Sequence, residues 1–276
     1  MAELFRLDRA LIRVSGPDAV SFLHNLLTQN VEGLEAPRYS ALLSPQGKVI
    51  ADMILWPDAN GVVIETNSAR GADLLRRLTM YKLRAQVNVL DASDALAVLW
   101  SSEVSDGASP DPRFPDGALG YTRLASRDDV TALRDGAAAF EAKRIALGIP
   151  DLARDAQPEE VFAGEALLEE LNGVDFRKGC FVGQENVSRM KRRATTRKKF
   201  SPIVFDGPPP AFGAAIKSGE VEIGTVRSGM EGRALALLRL DRAIEASENG
   251  LPLSAEGREI RLDPPPWLIL PSREQA

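Results

Sequence analysis

The stretch Lys178-Gly179-Cys180-Phe181-Val182-Gly183-Gln184-Glu185 holds the only cysteine of the chain, set between two glycines with an ammonium, an amide and a carboxylate close by. A thiol acts as a nucleophile or a metal ligand through its thiolate, and a neighbouring cation is one of the few local means of favouring that form at neutral pH. In an extended backbone residues two apart point to the same side, which would set the Lys178 ammonium beside the Cys180 sulfur. Gly179 and Gly183 permit left-handed backbone angles and the close approach of a ligand. Gln184 offers donor and acceptor whereas an ionised Glu185 only accepts, so the pair can read the edge of a polar heterocycle. A plainer reading stands beside the reactive one. Free cysteine is among the most buried residue types, and a sealed, inert thiol in a glycine-rich turn would carry no chemistry.

Just beyond lies the densest run of positive charge. Arg189, Lys191, Arg192, Arg193, Arg197, Lys198 and Lys199 place seven cations in eleven residues without an acid, so the rest of the chain carries −12 against a net −5. A basic segment on an acidic protein suits a local anionic partner, or is a solvated linker between domains. An RNA-binding module is the reading this run raises, but Phe200 is the only aromatic adjoining it, so the stacking platforms of single-strand binders are missing and nucleic acid is not the expected partner.

Composition narrows the remaining classes. The chain has 276 residues, 44% hydrophobic and 26% charged, which fits a globular protein of two or three domains. One cysteine excludes an intrachain disulfide and supplies a quarter of the four thiolates that usually hold an iron-sulfur cluster. With His24 the single histidine, no tetrahedral zinc set is available and no metal site is expected. No apolar run approaches the roughly 20 residues that cross a bilayer, so no membrane association is expected. Met1-Ala2-Glu3-Leu4-Phe5-Arg6 lacks the pattern of a secretory signal and carries an acid that transit peptides avoid, which gives a cytoplasmic expectation.

The elements that must position these residues follow from periodicity. Residues 4 to 14 alternate as a strand, and Ser15-Gly16-Pro17-Asp18 opens a helix over about 17 to 28 with Phe22, Leu23, Leu26 and Leu27 on one face. Ala41 to Leu43 and Val49 to Trp56 are strands joined by the turn Ser44 to Lys48, and Val62 to Glu65 is the next strand. A helix over 69 to 80 and strands at 86 to 90 and 96 to 100 complete an α+β layer with its helices on one side of a mostly antiparallel sheet. Residues 101 to 117 read as a loop, 118 to 125 as a strand and 136 to 147 as a helix ended by Gly148. A short helical piece covers 166 to 171, and Val174 to Arg177 alternates as a strand that delivers the cysteine segment at its exit. After Lys199 come short strands at 200–205, 214–217, 221–227, 234–240 and 259–262, separated by glycine and proline turns, as in a small β-barrel.

Lys-Gly-Cys-Phe-Val-Gly-Gln-Glu, with Arg189 and the basic run behind it, closely resembles the signature of the YgfZ family of folate-binding proteins. That family has mitochondrial relatives in iron-sulfur cluster assembly and is related to the T-protein, the aminomethyltransferase of the glycine cleavage system. The resemblance extends to Ser15-Gly16-Pro17-Asp18-Ala19 through Thr28-Gln29-Asn30-Val31, to Gln46-Gly47-Lys48-Val49-Ile50-Ala51-Asp52, and to Arg144-Ile145 through Gly148-Ile149-Pro150. It implies a three-lobed aminomethyltransferase-like α+β fold around a central folate site: a first lobe from 1–38 plus 135–198, a second from 39–134, and a C-terminal β-barrel over 199–276. It implies tetrahydrofolate or a derivative as cofactor, and iron-sulfur client or assembly proteins as partners. Cys180 and Lys178 would be the reactive pair, with Gly179, Gly183, Gln184, Glu185, Arg189 and Asp52 contacting the cofactor.

Two departures qualify the transferase reading, which would make Asp52 the acid or base of a folate-dependent aminomethyl transfer. The aminomethyltransferases carry two adjacent aspartates in the hairpin where this chain has Ala51-Asp52. Their pterin-binding glutamate falls at Ala146, which cannot accept a hydrogen bond. The resemblance therefore implies a tetrahydrofolate-binding accessory protein for iron-sulfur cluster assembly or maintenance, in preference to a glycine-cleavage enzyme.

Overall fold

A computed structural model describes residues 2–193 and 196–271. Ala194 and Thr195 of the basic run, and 272–276 of the expected last lobe, lie outside the described residues. In chain order the elements are β1 (Phe5–Leu7), β2 (Arg9–Ser15), α1 (Ala19–Leu26), β3 (Arg38–Leu43), β4 (Val49–Asp58), β5 (Gly61–Asn67), α2 (Ser68–Tyr81), β6 (Asn88–Asp91), β7 (Leu96–Ser101), β8 (Ser109–Pro110) and β9 (Tyr121–Ser126). They continue with α3 (Ala137–Leu147), α4 (Leu152–Asp155), α5 (Gln184–Arg193), β10 (Lys198–Val204), β11 (Ala215–Ser218), β12 (Val221–Met230), β13 (Arg233–Arg239), α6 (Leu240–Glu248), β14 (Leu253–Ala255) and β15 (Arg258–Leu262).

Three sheets organise the chain. A five-stranded sheet runs β3-β4-β5-β2-β6, a four-stranded sheet runs β1-β7-β9-β8, and β10-β13-β12-β11-β14-β15 close into a barrel. The boundary expected at residue 38 thus falls between β2 and β3 of one sheet, while β1 pairs with β7. Pairings between segments so far apart leave no trace in periodicity, which reports only local geometry.

The two faces of the five-stranded sheet have different tasks, assigned by the period-two alternation of strand side chains. Ile12, Val14, Leu42, Ala51, Met53, Leu55, Val62 and Ile64 pack with α1 and α2 in one apolar layer. Leu11, Tyr39, Ala41, Leu43, Ile54, Trp56 and Val63 face the other way, into a larger core continuous with α3 and the barrel. Asp52 and Glu65 share that inner face, between Ala51 and Met53 on β4 and at the end of an apolar run on β5.

A buried carboxylate is one of the ties between the barrel and the middle of the molecule, beside the bonds of Arg227 to Glu160 and of Arg233 to the Ile145 carbonyl. Asp155 Oδ2 accepts from Arg144 Nη1 at 2.9 Å and from the Asp151 amide at 2.8 Å, and its Oδ1 accepts from the Ser228 amide on β12 at 2.9 Å. Arg144 and Asp155 are both fully buried, and Glu141 also bonds the guanidinium.

Most elements stand where periodicity sets them, and the exceptions concern the region of the cysteine. The expected strand at 174–177 is a turn, because the Asp175 carboxylate accepts from the Arg177 amide at 2.8 Å and bends the chain back. Residues 166–171 form successive turns with no helix, and a helix the sequence reading did not anticipate, α5, begins at Gln184. In the barrel α6 and β14 were likewise not anticipated.

Candidate functional site

The cysteine segment is built on the exit of α1. Thr28 Oγ1 donates to the Gly173 carbonyl at 2.6 Å, Gln29 Nε2 donates to the Asn172 carbonyl at 2.7 Å, and the Asp175 amide donates to the Thr28 carbonyl at 3.1 Å. Lys178 closes this seam. Its ammonium donates to the carbonyls of His24, of Leu27 at 2.6 Å and of Gln29 at 3.0 Å. The His24 oxygen is one of those that the end of a helix leaves without partners, and Leu27 and Gln29 belong to the chain just past that end. The amine also lies 5.3 Å from the centre of the buried Phe181 ring. Burial holds its pKa down at about 8, so it remains charged at neutral pH.

This corrects the expectation that Lys178 sits by the thiol. An ammonium has three protons to donate, and here three carbonyls take them, so none is left for the Cys180 sulfur. Lys178 stands at a bend, and no strand forms over 178–180 to align the two side chains. Cys180 itself is exposed, which removes the sealed-thiol alternative.

On its far side the segment is held by a contact between two glycines. Gly183 has φ +83° and Gly47, in the β3–β4 turn, has φ +81°. A Cβ on Gly183 would lie 2.6 Å from the Ser44 carbonyl oxygen and 3.0 Å from the Gly47 Cα. Only glycine lets the two backbones meet so closely in those conformations. The segments at 28–31, 46–48 and 178–185 are therefore one structural unit around an exposed thiol.

Gln184, half-buried, and Glu185, exposed, open the first turn of α5, where an acid is favoured by the helix dipole. Arg189 is exposed and bonds to Asn186 on its own helix. Between α5 and the body lies a cavity of about 50 Å³ lined by Gly47, Val174, Phe176, Val187, Met190 and Lys191, among others. Lys191 pairs with Glu169 at 2.7 Å and lies over the Phe176 ring. Lys199, the last cation of the run, is buried against Glu170 and the Ile269 carbonyl, so it adds nothing to the basic surface.

Asp52 lies elsewhere, in a polar pocket of about 30 Å³ on the inner face of the five-stranded sheet, with Arg9, Tyr39, Glu65, Asn67, Arg113 and Asp151. Neither Cys180, Gln184 nor Glu185 lines it. Tyr39 donates to Asp52 Oδ2 at 3.0 Å. Burial, reinforced by Asp151, raises the Asp52 pKa above the usual carboxylate range, and burial together with Asp52 pushes the Tyr39 phenol well above its ordinary value. Burial also raises Glu65, which accepts from Trp56 Nε1 at 2.9 Å and pairs with Arg9 at 3.2 Å. Asp151 is held low by Arg9 and Arg144, which outweigh its burial.

Arg113 is clamped from below. Its Nε and Nη2 donate to Asp111 at 2.9 and 2.7 Å, and the guanidinium faces the rings of Tyr39 and Phe140. Burial works against its charge, but Asp111 more than restores it.

The alternation along β4 explains the Ala51-Asp52 pair. Asp52 faces the pocket, whereas Ala51 is buried in the helix-side layer, where a carboxylate would have no polar partner in reach. Ala146 is exposed on α3, while Arg144 and Ile145 point inward. The acid that approaches the pocket from this part of the chain is Asp151.

As a test of fit, this donor set suits the edge of a pterin: a carboxyl able to donate or accept, a phenol, and guanidinium charge nearby. The volume is about a tenth of the smallest ordinary ligand pockets, near 300 Å³, so it admits a ring edge and leaves the remainder of such a ligand outside.

Comparison with known proteins places these features. Residues 197–269 match the family model described as CAF17, C-terminal beta-barrel domain. The iron-sulfur cluster assembly factor IBA57 homolog, mitochondrial, of Pyricularia oryzae is 29% identical over 90% of this chain and 74% of its own. The iron-sulfur cluster assembly factor IBA57, mitochondrial, of Homo sapiens is 31% identical over 85% of this chain and 76% of its own. Among solved structures, the glycine cleavage system aminomethyltransferase T of Bartonella henselae superposes with a TM-score of 0.77 over 97% of this chain and 86% of that one, at 17% identity. The aminomethyltransferase-like fold with its C-terminal barrel is thereby shown. The cytoplasmic expectation is overturned, since these relatives are mitochondrial proteins by name.

Proposed function

This chain belongs to the IBA57 family of iron-sulfur cluster assembly factors, and from that premise we propose that it is an accessory protein that helps assemble or maintain iron-sulfur clusters in client proteins. Cys180 is the group it presents. The observation that carries this reading is the exposure of the only thiol on a segment fixed from both sides, by Lys178 against the α1 carbonyls and by Gly183 against Gly47. An exposed thiolate ligates iron or attacks sulfur, and as a single ligand it needs three more from another protein to complete a cluster. The cluster or its precursor is thus a substrate that passes between chains.

In a strain lacking this protein, the Cys180→Ala variant is expected to leave cluster-enzyme activity at the level of the deletion. Full restoration by that variant would show that the thiol has no central role.

A reduced folate is the proposed ligand of the inner pocket. Asp52 and Tyr39 would hold the pterin edge, with Arg9 and Arg113 supplying positive charge; such a cofactor carries one-carbon units when bound. Titration of tetrahydrofolate against the wild type and Asp52→Ala tests this, with weakened binding expected in the variant and equal affinities overturning it. The transferase reading is favoured by one observation, the raised pKa of a carboxyl facing the pocket. Formation of methylenetetrahydrofolate from an aminomethyl donor would establish it, and folate binding without turnover would remove it.

A further inference from the structure

Helix α5 has two faces of opposite character. Val187, Met190 and Lys191, spaced i, i+3 and i+4, line the cavity against the body. Arg189, Arg192 and Arg193 repeat that spacing on the exposed side. Among the described residues no carboxylate pairs with Arg192 or Arg193. Arg192 and Arg193 in the last turn complement the helix dipole, but cations at i, i+3 and i+4 also repel one another, so helix stability alone gives no reason for a continuous stripe. It stands on a chain whose remaining residues are strongly acidic, and its helix begins four residues after the exposed thiol.

The stripe offers charge without stacking. Phe181 and Phe200 are buried, and Phe176 lies beneath Lys191. A single-stranded nucleic acid would find no aromatic platform here.

We propose that the exposed face of α5 is a docking surface for an acidic face of a protein partner, and that docking there brings the partner's reactive groups to Cys180. The identity of that partner as a giver or receiver of clusters rests on the function proposed above; the surface itself does not. Arginines in one stripe select carboxylates by long-range attraction and then by bidentate hydrogen bonds.

The lone thiol allows a direct measurement on the intact protein. The probe is a helical peptide of about 20 residues, a length that gives a stable helix, with glutamates along one face and a terminal cysteine carried as a mixed disulfide with nitrothiobenzoate. The Cys180 thiolate attacks the peptide sulfur, a new S–S bond forms, and nitrothiobenzoate leaves as a coloured thiolate, so no external oxidant is needed. At low salt the glutamate peptide is expected to react at least about tenfold faster than its glutamine counterpart, the lower end of electrostatic rate enhancement. The difference should vanish at high ionic strength and in the Arg192→Glu/Arg193→Glu variant.

Equal rates for the two peptides, or an unchanged preference in the charge-reversed variant, would overturn the proposal. So would an RNA hairpin that blocks the reaction at near-physiological salt where the same concentration of free glutamate peptide does not. None of these readouts involves cluster-enzyme activity, so an unexpected result with Cys180→Ala in cells would sink the functional reading and leave the docking surface to be judged separately.

Discussion

The Lys178 ammonium donates to the Leu27 carbonyl at 2.6 Å, which makes this lysine the clasp between the cysteine segment and the end of α1. Lys178→Met keeps the apolar stem and removes the donors. Of its three bonds only that to Leu27 is fully buried, and leaving one buried carbonyl unpaired costs about 1–3 kcal/mol. A loss of stability in that range is expected in urea denaturation. Because the amine is committed to carbonyls, the pH–rate profile for alkylation of Cys180 should superimpose on that of the wild type; a displaced profile would return Lys178 to the role of thiol activator.

Gly183→Ala tests the opposite side of the same segment. The methyl would meet the Ser44 carbonyl at 2.6 Å in a left-handed conformation. A cost of about 1–3 kcal/mol is expected from the backbone alone. Faster hydrogen exchange should be confined to the β3–β4 turn and the start of α5. Exchange unchanged at both places would mean that the two glycines do not hold the segment.

The inner pocket makes stability depend on pH. Burial raises the folded pKa of Asp52 above its unfolded value. For such a group the stabilising contribution is fully present below the unfolded pKa, near 3.9, and is lost as pH rises through the folded value. Asp52→Asn removes that loss while keeping an acceptor for Tyr39. Calorimetry should find the variant melting above the wild type at pH 8, with the gap narrowing toward pH 4.

Asp155→Ala should be among the most damaging single changes. It strands the fully buried guanidinium of Arg144 and cuts the bond to Ser228. Breaking a buried pair in this way costs about 3–5 kcal/mol. Chemical denaturation that shows less than about 1 kcal/mol would mean that water enters and resolvates the arginine.

How much of this was legible beforehand depends on whether the information was local. The strands at 49–58 and 61–67, the helices over 68–81 and 137–147 and most barrel strands follow from alternation and helical spacing. The cysteine segment was visible as a cluster of chemically able residues, but not its geometry, because the Asp175 turn and the three carbonyls that receive Lys178 depend on Thr28 and Gln29 far away in sequence. Tyr39 and Arg113 left no signal at all: they meet Asp52 only through the fold. Two members of the inner cluster did leave one. Glu65 ends the wholly apolar run Val62-Val63-Ile64, and Arg144 falls one turn after Phe140 on the buried face of α3, so each is a charge at a core position that requires a partner.

Asp155 has a mechanical consequence. By binding α3, the start of α4 and strand β12 through one buried carboxylate, it denies the barrel any independent swing about the rest of the molecule. The other wall of the inner pocket, the loop between β8 and β9, is held as firmly: the buried Asp111 carboxylate grips Arg113, and Phe114 packs edge-on against Trp267.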